Sequence, residues 1–71
     1  VGTSITANKV GVGYTMWIAV NSSVGKNINV AGSDVILRDG STSTVTTIVT
    51  TGGTYYLRKF VALELNTWGE F

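Results

Sequence analysis

Carboxylates, cations and aromatic rings are the side chains of this chain from which a site could be built. The acids are Asp34, Asp39, Glu64 and Glu70, the bases Lys9, Lys26, Arg38, Arg58 and Lys59, and histidine and cysteine are absent. Nucleophilic catalysis of the Ser-His-Asp or Cys-His kind needs a base that titrates near neutrality, usually imidazole, so no self-contained site of that class is expected. Glycoside hydrolysis stays open on residue types, because it needs only two carboxyl groups held roughly 5 to 9.5 Å apart. Asp39 sits in an Asp-Gly turn and Asp34 in a Gly-Ser-Asp turn, so both are expected as solvated turn residues. Glu64 stands among aliphatic neighbours, where burial would be costly unless Arg58 or Lys59, from this or another subunit, paired with it. The chain is therefore expected not to be an enzyme by itself, with a polysaccharide-degrading site shared between subunits as the one enzymatic alternative.

Other chemistries lack their motifs. Gly25-Lys26 has no upstream glycine and no following hydroxyl, so it reads as a turn and not as a phosphate-binding loop. No Asp-x-Asp-x-Asp-Gly loop is present for calcium, and a structural zinc is implausible without Cys or His. No metal and no cofactor are expected. Asn21-Ser22-Ser23 fits an N-glycosylation triplet but equally an ordinary polar turn.

Binding is better supported than catalysis. Two Trp, three Tyr and two Phe are many rings for so short a chain. Aromatic faces stack on the C–H faces of sugars, and Asp, Asn, Thr and Arg supply directed hydrogen bonds. Trp68 and Tyr55, with Arg38 and Asp39, form the expected carbohydrate platform, whereas Trp17, inside the most apolar run, is expected in the core.

Those residues must be positioned by a small domain. The chain has 71 residues, 44% hydrophobic and 13% charged, with a net charge of +1 and no Pro. A domain of this size buries only about 60% of the surface its unfolded chain exposes. Disulfides are excluded and zinc is implausible, which leaves association with other copies or a larger body as the stabiliser. The scattered cations give no footprint for nucleic acid. The longest apolar run, residues 16–20, is too short to span a bilayer. Starting at Val1, the chain reads as one domain, residues 1–71, taken from something longer.

Punctuation by Gly, Asn, Asp and Ser divides the sequence into short strands. Residues 3–10 alternate weakly. Residues 14–20 carry aromatic and β-branched side chains on both faces, as in a strand covered on two sides. Residues 21–25 turn, residues 26–30 alternate with Ile28 and Val30 inward, and residues 31–34 turn again. Residues 35–38 are a short buried strand, Asp39-Gly40 a hairpin signal, residues 41–51 a threonine-rich strand run, and Gly52-Gly53 another tight turn. Residues 55–65 fit either an amphipathic helix or a strand pair; the two tyrosines and the lack of a capping box favour strand. Asn66-Thr67 reads as a turn before a terminal strand over 68–71. The expected fold is all-β, a small antiparallel sandwich or barrel of six to seven strands that associates as a homo-oligomer through Leu57, Phe60, Val61, Leu63 and Leu65.

The segments Asp34-Val35-Ile36-Leu37-Arg38-Asp39-Gly40, Gly52-Gly53-Thr54-Tyr55, and 61–71, with aliphatic alternation, a polar turn, then Trp68-Gly69-Glu70-Phe71, resemble the C-terminal β-domains of bacteriophage tailspike and tail-fibre proteins. The resemblance implies a homotrimer at the tip of a host-recognition fibre in the virion tail, attached to a larger fibre or tailspike chain and contacting bacterial surface polysaccharide. It carries over no catalytic residue. The alternative reading is a small lectin whose main role is sugar binding.

Overall fold

Residues 56–64 form the longest strand, and the rest of the domain is arranged around it. In the computed structural model, which describes residues 6–71, the elements run α1 (Ala7–Val10), β1 (Thr15–Val20), β2 (Asn27–Asn29), β3 (Val35–Arg38), β4 (Thr44–Val45), β5 (Thr47–Val49), β6 (Tyr56–Glu64) and β7 (Thr67–Glu70). Strand therefore prevails over helix in 55–65, but as one continuous strand and not the expected strand pair: β-favouring Tyr, Phe and Val occupy a strand hydrogen-bonded on both sides, to β1 and to β7.

The larger sheet has the order β1-β6-β7-β3-β4, and β2 and β5 form a separate two-stranded ribbon. All-β character is as expected, but the purely antiparallel arrangement is not what forms. β3 runs parallel to β7, with Val35 opposite Thr67 and Arg38 opposite Glu70. Parallel neighbours need a long crossover, and the chain between β3 and β7 supplies one that carries β4, β5 and β6.

Side chains alternate between the two faces of a strand. The inner face of the large sheet contributes Ile36, Phe60, Ala62 and Trp68 to a core completed by Ile28 and Ile48 of the ribbon and by Ala7 of α1. Burying a side chain such as Phe60 contributes about 1.5–3 kcal/mol. Ribbon and helix cover the inner face only. This is why β1 alternates exposed and half-buried residues instead of being enclosed, and why Trp17, expected in the core, is 64% exposed.

Residues 3–5 of the expected first strand lie outside the described residues, and residues 7–10 are helical. Thr6 caps that turn, its Oγ1 accepting from the Lys9 amide at 3.2 Å, and Gly11 closes it at φ +89°. The threonine-rich run is also not one strand. It breaks at Thr46, whose carbonyl accepts the Val30 amide, and sends β4 to the large sheet and β5 to the ribbon.

The β6–β7 turn falls at residues 65–66, one residue before the expected position. Asn66 takes φ +59°, the left-handed conformation that Asn tolerates better than most residues. Leu63 is the extra residue of a bulge between the pairs Ala62–Trp68 and Glu64–Thr67. Near the ribbon, Gly52 is required by close approach: a Cβ there would lie 2.6 Å from the Ser23 carbonyl oxygen.

Candidate functional site

Two buried carboxylates organise the inner side of the large sheet. Asp34, at the start of β3, is not the solvated turn residue expected. It is buried, and its Oδ2 accepts the Ala7 amide at 2.7 Å and the Trp68 indole N–H at 2.9 Å. Its Oδ1 is buried with no partner. Beside it, Asn8 and Asn66 exchange two hydrogen bonds at 2.9 Å, tying α1 to the β6–β7 turn.

Glu70, the second, closes β7 at the opposite end of the β3–β7 pair. Arg38 donates through Nε to its Oε1 at 2.6 Å, and the Tyr56 hydroxyl donates to its Oε2 at 2.5 Å. Both carboxylate oxygens therefore have a donor, as a buried charge requires. Burial pushes the Tyr56 phenol pKa well above its ordinary value, and the hydrogen bond to Glu70 and the Glu70 charge push it further in that direction. Tyr56 stays a phenol and a donor throughout the neutral range.

The two carboxylates do not form a hydrolytic pair. Glu70 is in register with Arg38, four residues along β3 from Asp34. At a strand rise of about 3.3 Å this places them roughly 13 Å apart along the sheet, beyond the glycosidase range. Glu64 is exposed and Asp39 lies in the exposed loop after β3.

Around Glu70 the surface opens into two adjoining grooves that share Arg38 and Arg58. One, of about 450 Å3, is lined by Arg38, Asp39, Arg58, Glu70 and Phe71. The other, of about 290 Å3, places Tyr55, Thr51 and Thr54 beside the same two arginines. Three of the four expected platform residues, Arg38, Asp39 and Tyr55, are thus brought together. Trp68 is not among them. It is 2% exposed, bonded to Asp34 and packed edge-on to Tyr14 at 6.4 Å, so it presents no face for stacking. Its even-numbered position on β7 points it, with Glu70, to the inner side.

No family model, curated protein or solved structure matches this chain. Its residues alone carry the functional argument.

The outer face of the large sheet is the other feature of note. One row runs Trp17, Lys59, Phe71, the next Thr15, Val61, Gly69, Leu37, and Ala19 stands opposite Leu57. Leu63 and Phe71 close over Gly69, where a Cβ would come within 2.7 Å of both side chains. Trp17, Leu57, Leu63 and Phe71 are exposed and Val35, Leu37 and Val61 half-buried; Lys59 lies within this field and Glu64 at its rim.

Of the five expected interface residues, Leu57, Val61 and Leu63 lie on this face, and Leu65 is exposed in the adjoining turn. Phe60 does not join them. It is buried in the core, because a strand sends residue 60 to the face opposite 57 and 61, whereas a helical stripe would have joined all three. Sequence reasoning missed Trp17, Phe71, Arg58, Tyr56 and Glu70. Alternation about Trp68 was the available signal for Glu70. Nothing local marked β1 as an edge strand.

Among the described residues no group of three or more Asp, Glu, His or Cys could hold a metal ion. Nor, among those residues, is any helix long and apolar enough to cross a membrane.

Proposed function

We propose that this chain is a self-associating assembly module that buries the outer face of its five-stranded sheet between copies, in the manner of the terminal β-domain of a phage tailspike or tail fibre. One observation carries the reading: ribbon and helix cover the inner face, while among the described residues nothing covers the outer face with its Trp17, Leu57, Leu63 and Phe71. A monomer rarely leaves so continuous an apolar field in water unless something docks on it.

Buried aromatic side chains account for roughly 150–250 Å2 each. The face as a whole then approaches the ~800 Å2 that one partner contributes to a standard interface. Even about 400 Å2 of apolar area per copy gives on the order of 10 kcal/mol gross, before association costs. For a domain this small that is comparable with its entire stability. The assembly we favour is a homotrimer with the outer faces turned toward a common axis and Lys59 reaching past the rings to solvent.

Light scattering across a hundredfold dilution, with circular dichroism on the same samples, tests this. The expected result is a β-rich trimer that persists on dilution and that Trp17→Glu converts to a folded monomer, since Trp17 contributes little to the core. A wild-type chain that is a folded monomer at micromolar concentration overturns the proposal.

A further inference from the structure

We infer that the groove between Arg38 and Arg58, at the end of the sheet where Leu57 and Phe71 of the proposed interface also border it, binds an acidic saccharide: the anionic group on the two guanidiniums, a sugar ring on Tyr55 and a hydroxyl on Asp39. The two cations play unequal parts. Arg38 gives its Nε to buried Glu70, which locks its plane and leaves the Nη edge for a ligand. Arg58 is exposed and forms no ion pair among the described residues. A guanidinium held in place by a buried carboxylate, next to a second free one, is a preorganised oxyanion receptor, because the planar fork matches the two oxygens of a carboxylate or sulfate.

The rest of the lining selects a sugar over a bare ion. Tyr55 is 60% exposed beside the arginines, and its ring can take the C–H face of a pyranose. Thr51 and Thr54 add exposed hydroxyls on the same wall. Asp39 lines the neighbouring groove, where a carboxylate accepts from sugar hydroxyls but repels a second anion. That arrangement fits a chain with one charge per few rings. Both grooves are open and polar, unlike the enclosed apolar pockets that hold drug-sized molecules. Two arginines with a carboxylate between the grooves are also too few cations for a nucleic-acid backbone.

Because Phe71 and Leu57 border both surfaces, the ligand is titrated into the wild type and into Trp17→Glu, and a short ligand avoids avidity. Backbone amide shifts in 15N-labelled protein are followed during titration with trigalacturonate, with its uncharged methyl ester, and with a sulfated oligosaccharide. Trigalacturonate is expected to move the amides of Thr51, Thr54, Tyr55 and Arg58, with a millimolar affinity that weakens on adding salt. Arg58→Gln, at an exposed position, is expected to weaken binding roughly tenfold while leaving the rest of the spectrum unchanged, and Arg58→Lys to restore part of it. A stronger response to the sulfated ligand at the same amides supports the site and assigns sulfate as its anion. Equal binding of the methyl ester, shifts confined to other residues, or no loss in Arg58→Gln overturns the inference.

Discussion

Arg38 and Glu70 face each other in register across the parallel pair of β3 and β7, and a 2.6 Å contact from Nε to Oε1 joins them where the two strands end. Arg38 is half-exposed and Glu70 buried, so the pair binds the last residue of the sheet to solvent-facing chemistry on β3. Replacing Glu70 by Ala is expected to destabilise the fold by about 1.5–3 kcal/mol, the usual range for hydrogen bonds to a charged group, because the Tyr56 hydroxyl loses its acceptor while Arg38 can turn to water. Arg38→Met should cost at least as much, because it leaves the buried Glu70 carboxylate without its cation, and the double variant less than the sum of the two. Urea unfolding of the four proteins measures the coupling. Strict additivity would mean the contact contributes nothing.

Tyr56 makes stability depend on alkaline pH. Its phenol pKa in the folded chain lies well above the ordinary value of 10.0, raised by burial and by Glu70. Below about pH 10 both folded and unfolded chains keep the proton, so this residue contributes no pH dependence there. Above it the unfolded chain releases the proton while the folded chain retains it, and stability falls as pH rises. The urea midpoint of the wild type should drop between pH 9.5 and 11.5 more steeply than that of Tyr56→Phe. Parallel curves for the two proteins would remove Tyr56 from the account.

Asp34 is a buried hub joining the start of β3, α1 and Trp68. Asp34→Ala leaves the Ala7 amide and the Trp68 indole N–H buried without an acceptor, each costing about 1–3 kcal/mol. A loss of about 3 kcal/mol in total is expected, together with a weakened near-ultraviolet dichroism signal from Trp68. Because Oδ1 has no partner, Asp34→Asn can keep an oxygen toward the two donors and should lose less. If Asp34→Ala unfolds within 0.5 kcal/mol of the wild type, the hub is not structural.

Much of this was legible in the residues, and the exceptions have identifiable causes. The turns at Asp39-Gly40 and Gly52-Gly53 and the inward Ile28 are properties of local chemistry and of period-two alternation. Phe60 was misplaced because it was grouped with Leu57 and Val61 as on a helical stripe, although the alternation of the favoured strand already sends it to the other face. Asp34 and Glu70 looked like turn and edge charges because no short-range pattern reveals that Trp68, 34 residues away, or Arg38, 32 residues away, will meet them. Of the expected sugar platform, Arg38, Asp39 and Tyr55 assemble on adjoining grooves, while Trp68 is claimed by the core.

By itself the sequence determined an all-β chain of short strands without histidine or cysteine chemistry, since composition, alternation and turn residues act over a few positions. Which strand lies at an edge, which neighbour runs parallel and which face stays bare were decided by tertiary structure. Trp17 shows the difference: its strand is unmistakable from its neighbours. Its exposure follows only from the fact that helix and ribbon, distant in sequence, cover one side of the sheet and leave the other open.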